Sequence, residues 1–195
     1  MIIVFTGNGK GKTTTALGQA VRVLGRGKRA LMIQFIKGPW VSGEDEFVRK
    51  LKTQHLRLTA DGKEIAGELK NLYDFEIKKM GLGFVGILGD QLPREEHEKA
   101  ARNAIAYFEQ ALEKTDEEKL DLIVLDEVNV AISLNLIKVE DVLPVLKKVP
   151  NDVLVLLTGR DAPQEFIDAA DLATEMREIR HPFTKGKMGK LNVEF

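Results

Sequence analysis

The run Thr6-Gly7-Asn8-Gly9-Lys10-Gly11-Lys12-Thr13-Thr14 has the residue types and spacing to hold phosphate. Glycines let the backbone curl so that its N–H groups point inward at phosphate oxygens. Lys12 can reach those oxygens as a cation, and the Thr13 hydroxyl can ligate Mg²⁺. The usual pattern opens with Gly where this chain has Thr6. A Gly-rich turn that only joins a strand to a helix is the bland alternative. A second half-site downstream weighs against it: Leu122-Ile123-Val124-Leu125 is an apolar run that ends in Asp126-Glu127. A buried strand would deliver the Asp126 carboxylate beside Thr13, where both could hold Mg²⁺ directly or through water. Glu127 could orient a nucleophile or touch the nucleotide. Strands often end in acids without function, but rarely downstream of such a loop. Together the two segments predict a site for a nucleoside triphosphate.

Other residues are open to two readings. Arg160, in Thr158-Gly159-Arg160, follows a strand-like run and could make charge-assisted bonds to phosphate, or be a surface arginine. Arg22 is open to the same pair of readings. Trp40 and Phe84 lie in Gly-containing loops, where an aromatic can floor a flat ligand or, more commonly, plug the core. His55, His97 and His181 lack metal-ligand spacing, and His97 reads as a solvated helix position. Lys185, Lys187 and Lys190 among glycines read as a mobile, solvated end.

The elements that must position these residues alternate. Ile2 to Phe5 reads as a strand and Ala16 to Arg22 as a helix, so the phosphate loop opens a helix whose N-terminus adds partial positive charge. Arg29 to Ile36 reads as a strand, Glu44 to Lys52 as a helix and Leu56 to Thr59 as a strand. Glu64 to Met80 has roughly helical apolar spacing, broken by Gly81-Leu82-Gly83-Phe84-Val85-Gly86. Pro93 to Lys114 predicts an amphipathic helix, with proline suited to its first turn. Further strands are expected at Asp121 to Asp126, Val153 to Leu157 and Leu172 to Ile179, and helices at Val139 to Val149 and Pro163 to Ala170. Apolar strands alternating with helices imply an α/β fold: a mostly parallel sheet with helices on both faces, a P-loop NTPase-like, RecA-like core in one domain over residues 1–195. Ligands in such folds sit at the carboxyl ends of strands.

Composition bounds the function classes. Hydrophobic residues make up 44% and charged residues 30%, and there is no cysteine, which excludes disulfides, thiolate ligands and cysteine nucleophiles. No apolar run is long enough to span a membrane and no signal peptide is visible, so a cytoplasmic protein is expected. The net charge of −1 supplies no field to attract nucleic acid, and no basic stripe interleaved with aromatics appears.

The phosphate loop with its Thr6, then Arg22, Gln34-Phe35-Ile36-Lys37-Gly38, Val124-Leu125-Asp126-Glu127, Leu157-Thr158-Gly159-Arg160 and His181-Pro182-Phe183 resemble the P-loop type of cob(I)alamin adenosyltransferase, in order and spacing across nearly the whole chain. The resemblance implies transfer of the 5′-deoxyadenosyl group of ATP to the cobalt(I) of a corrinoid, with release of triphosphate. It implies ATP bound reversed along the loop relative to hydrolases, with Gly7, Asn8, Gly9, Lys10, Gly11, Lys12, Thr13 and Thr14 cradling the triphosphate. Arg22 and Arg160 would add phosphate contacts. Thr13, Asp126 and Glu127 would serve Mg²⁺ or Mn²⁺ and the ribose, with Lys12 and Glu127 catalytic. Phe84 matches an aromatic near the corrin, and Trp40 is its companion candidate. A homodimer and a reductase partner that supplies cobalt(I) are implied as well. The chain departs from the family pattern at Gly86, where an aromatic is usual, over the additional residues 61–80, and at Gly186-Lys187-Met188-Gly189-Lys190 in place of an Ala-Gln pair. With Met1 abutting the first strand, no N-terminal segment capping a partner's corrin site is expected. These departures keep a second reading open: a relative that binds or hydrolyses ATP with a different second substrate or partner.

Overall fold

Parallel strands joined through helices bury both faces of a sheet, so their sequences lose the alternation of a half-exposed strand. The computed structural model, which describes residues 1–54, 74–87, 89–114 and 118–180, follows that rule. Its elements are β1 (Ile2–Thr6), α1 (Lys12–Leu24), β2 (Ala30–Gln34), α2 (Gly43–Gln54), β3 (Phe75–Lys79), α3 (Arg94–Leu112), β4 (Leu122–Asp126), α4 (Val128–Ser133), α5 (Val139–Leu146), β5 (Leu154–Thr158), α6 (Gln164–Ala169) and β6 (Leu172–Glu175). The strands form one six-stranded sheet in the order β3-β2-β4-β5-β1-β6, and every pairing is parallel.

The apolar strands feed two cores. Met32, Val124 and Leu156 pack with Ala16, Ala20, Val23 and Leu24 of α1 and with Val48 of α2. Ile33, Leu125 and Leu157 point the other way, onto Ala104, Phe108, Val128, Val142 and Phe166 from α3 to α6. Small residues of α1 let the phosphate-loop helix lie close to the sheet. Pairing register brings Gln34 level with both Lys79 and Asp126, Phe5 level with Thr158, and Thr6 level with Glu175. The carboxyl ends of all six strands therefore form one edge, and polar side chains replace apolar ones there.

Three expectations are corrected. The helical spacing read over Glu64 to Met80 gives way to strand β3 in its described part. Phe75 and Ile77 face the α1–α2 core while Glu76 and Lys78 pair on the opposite face, a period of two that the longer window hid. His97 is not solvated: it is 3% exposed, and its Nε2 lies 3.0 Å from Asp90 Oδ2. Between β4 and α5 the chain forms α4, a short helix absent from the sequence reading. The expected strand at Leu56 to Thr59, His55, His181 and the lysine-bearing tail lie outside the described residues. Among the described residues, no helix is long and apolar enough to cross a membrane.

Candidate functional site

The loop between β1 and α1 is shaped by contacts that only glycine permits. Gly7 has φ +92, and a Cβ on it would stand 2.5 Å from the Met176 carbonyl oxygen. A Cβ on Gly9 would stand 2.7 Å from the same atom. That carbonyl accepts the Gly9 N–H at 2.6 Å, while the Met176 N–H donates to the Thr6 carbonyl at 2.8 Å. The chain leaving β6 is thus a buttress for the loop. Thr6, at the position of the usual first glycine, accepts the Ala162 N–H on its Oγ1 at 3.1 Å and ties the β5–α6 connection to the loop. Gly11, with φ +115, turns the chain into α1, whose first turn carries no acidic side chain. The positive end of the helix dipole therefore meets no carboxylate from its own first turn.

Lys12 folds back over its own loop, with Nζ donating to the carbonyls of Gly7 at 2.7 Å and Gly9 at 2.8 Å. Burial, and then the nearby Arg160 charge, lower its pKa. Asn8, Lys10 and Thr14 are exposed on the loop and first turn, beside a cleft lined by Asn8, Glu175, Arg177 and Glu178.

Asp126 is the hub of the acid end. It is 1% exposed, and its Oδ1 accepts the hydroxyls of Thr13 and Thr158, both at 2.8 Å. Oδ2 accepts the Gln34 amide at 3.0 Å. A buried carboxylate with charge-free donors on both oxygens needs a cation nearby. No group of three His, Cys, Asp or Glu side chains that could hold a metal occurs among the described residues. The oxygen pair of Thr13 and Asp126 nevertheless suits Mg²⁺, which takes one or two protein oxygens and completes its shell with phosphate and water.

Glu127 turns the chain from β4 into α4 with φ +61, an unusual conformation for a side-chain-bearing residue and a recurrent feature of functional sites. Its N–H donates to Thr158 Oγ1 at 3.0 Å. Burial, then the adjacent Asp126 charge, push its carboxyl up to about 7, against the charges of Lys37, Lys12 and Arg160. Those opposing charges place the three cations around one acid. Arg160 is exposed and follows Gly159, whose φ of +131 and carbonyl bond to Asn129 Nδ2 at 3.1 Å fix the turn.

Trp40 and Phe84 leave the ends of β2 and β3 and meet over the same sheet edge. Their ring centroids are 6.2 Å apart with planes tilted by 34°. They are 63% and 49% exposed, so neither plugs the core. Cβ atoms on Gly38 or Gly83 would lie within 2.7 Å of the Trp40 ring, so the glycines make room for it. Arg22 is placed elsewhere: it lies in the last turn of α1, about 15 Å of helix from Lys12, in a cleft with Arg26, Lys28, Asp121 and Asp152 at the opposite sheet edge.

Sequence reasoning missed Gln34, Thr158 and Asn129 as parts of the site. Gln34 and Thr158 had a signal, a polar residue closing an otherwise apolar strand. Asn129 had none, because its role depends on the turn at Gly159.

Comparison with known proteins decides the family. A family model described as ATP:corrinoid adenosyltransferase BtuR/CobO/CobP matches residues 1–195. The chain belongs to this family. Similar relatives include a corrinoid adenosyltransferase of Escherichia coli strain K12, 31% identical over 195 residues, covering 100% of this chain and 85% of the relative. Corrinoid adenosyltransferase CobA of Salmonella typhimurium matches with the same identity and coverage. A corrinoid adenosyltransferase of Sinorhizobium sp is 34% identical over 198 residues, covering 100% of this chain and 80% of the relative. Along one sheet edge the described residues bring together the phosphate loop, the acid end of β4, Arg160 and an exposed aromatic pair.

Proposed function

We propose that the protein transfers the 5′-deoxyadenosyl group of ATP to the cobalt(I) of a corrinoid and releases triphosphate. One observation carries this reading beyond simple ATP binding. The phosphate loop and the two exposed aromatic rings occupy the same edge of the sheet, a polar cradle beside a flat apolar face. The reaction needs both: an anionic leaving group held firmly and a reactive metal centre kept from water.

The residues divide the work. The loop from Gly7 to Thr14 and the α1 N-terminus hold the triphosphate, and Lys12 exchanges its two loop carbonyls for phosphate oxygens. Thr13 and Asp126, with Glu127 close by, would hold Mg²⁺ or Mn²⁺, which when bound offsets negative charge on the departing phosphates. Arg160 adds a second fixed cation, and Glu127 serves the metal and ribose side. Arg22, at the opposite sheet edge, lies away from this cradle. Trp40 and Phe84 present the corrin face. The cobalt(I) electron pair forms the carbon–cobalt bond as the 5′ carbon–oxygen bond breaks, and the oxygen leaves with its pair on triphosphate. No water is activated. The family relationship further supports a single ATP-binding domain acting as a cytoplasmic homodimer, supplied with cobalt(I) by a reductase, without nucleic acid or membrane.

The test is an anaerobic assay with chemically reduced cobalamin and Mg-ATP. The expected outcome is the spectrum of the adenosyl–cobalt product together with intact triphosphate. ADP and phosphate with cobalamin unchanged would instead mean an ATPase that kept the nucleotide site and changed its second substrate.

A further inference from the structure

The segment that carries Phe84 is pinned at both ends. Upstream, the Gly83 N–H donates to the Ile36 carbonyl at 2.9 Å and fixes the start of the segment to the end of β2. Downstream, the Gly86 N–H donates to Asp90 Oδ2 at 2.8 Å, and the Leu92 N–H donates to Asp90 Oδ1 at 3.1 Å. Asp90 is anchored in turn by His97, on the first turn of α3, whose Nε2 lies 3.0 Å from Oδ2. The His97 side chain is 2% exposed and that of Asp90 is 8% exposed, so the pair is buried close in sequence to the exposed Phe84, Ile87 and Leu92. The Gly86 N–H, the Leu92 N–H and His97 hold the Asp90 carboxyl below its ordinary range, so it acts as an acceptor.

This arrangement has a consequence for the exposed rings. The Phe84 ring is 49% exposed while its neighbour Val85 packs against the core, and Gly83 and Gly86 both take positive φ, at +111 and +69. A half-exposed ring between two permissive hinges keeps one pose only if both hinges are tied. The upstream tie is backbone to backbone. The downstream tie passes through two side chains, Asp90 and then His97, which links it to α3.

We propose that His97 is a positioning residue for the second substrate: through Asp90 it fixes the segment that presents Phe84 to the corrin. The proposal rests on the function proposed above. It predicts that the histidine acts on the corrinoid side alone, because the phosphate loop shares no hydrogen bond with Asp90 or His97.

Trp40 makes the test independent of turnover. It is the only tryptophan in the chain, and its ring neighbour is Phe84. In His97→Leu, the emission of Trp40 in the ligand-free protein should shift, and the KM for cob(I)alamin should rise about tenfold, the loss of one charge-assisted hydrogen bond. The KM for ATP should stay within about twofold. His97→Gln, which keeps an N–H donor, should restore most of the wild-type behaviour. If His97→Leu does not fold, Asp90→Ala should give the same pattern from the loop side. Wild-type emission and corrinoid KM in the leucine variant would overturn the proposal. So would a parallel rise of both KM values with a lowered melting temperature, the mark of a histidine that only fills the core. If the wild-type protein leaves cobalamin untouched, the proposed function fails, and the Trp40 emission of the leucine variant alone decides whether His97 sets the Phe84 segment.

Discussion

Lys12 and Glu127 illustrate how much a single side chain owes to its neighbours. Lys12 is held by two carbonyls of its own loop, with burial and the Arg160 charge lowering its pKa against the pull of Glu127 and Asp161. Lys12→Ala should weaken Mg-ATP binding by about a hundredfold, two charge-assisted hydrogen bonds' worth, in equilibrium titration. Retained affinity would remove the loop from the mechanism. Glu127 holds its proton more tightly in the folded protein, at about 7, than at the ordinary 4.5. Its contribution to stability is therefore full below 4.5 and is lost as the pH rises towards about 7. Urea unfolding of the ligand-free protein across that window should show a decline that Glu127→Gln flattens by roughly 1–3 kcal/mol. An unchanged profile in the variant would mean that Glu127 is ionised throughout.

At the scale of elements, the phosphate loop takes its shape from a strand that is far from it in sequence. The Met176 carbonyl, just past β6, fills the space where side chains on Gly7 or Gly9 would lie. Gly9→Ala should displace the loop, lowering ATP affinity at least about tenfold and the melting temperature by several degrees, since backbone cannot yield as a side chain does. Gly18→Ala is the control. Gly18 lies inside α1 with open space around it, so its alanine variant should be more stable by about 0.5–1 kcal/mol with ATP affinity unchanged. Opposite signs from two glycine substitutions nine positions apart would separate close approach from helix propensity; equal effects would count against the buttress.

At the scale of the molecule, one sheet edge serves two chemistries. The phosphate loop and the acid end of β4 lie towards the β4-β5-β1 strands, and the aromatic pair lies beyond β2 and β3. The two halves meet at Gln34, which bonds Asp126 and whose carbonyl accepts the N–H groups of Met80 and Gly81. Phe84→Ala should raise the corrinoid KM about tenfold while ATP affinity holds, the cost of removing a ring from a flat apolar contact. Equal loss of both would mean that the two halves are one cooperative unit.

Much of this was legible in the chain itself. Gly-rich loop, Gly-Lys-Thr and an apolar run closed by acids are local patterns, and local patterns survive being read in one dimension. The alternation of apolar strands with helices likewise set the parallel sheet, because only burial on both faces tolerates such strands. Tertiary structure decided the rest. A five-residue alternation at Phe75–Lys79 was lost inside a longer helical spacing until pairing with β2 fixed it as a strand. His97 reads as a polar residue on a charged helix, and only the approach of Asp90 from the preceding loop makes it a buried partner. Whether Trp40 and Phe84 plug a core or face solvent was likewise undecidable from spacing. Exposure is a property of what the rest of the chain leaves uncovered, and no window of sequence contains it.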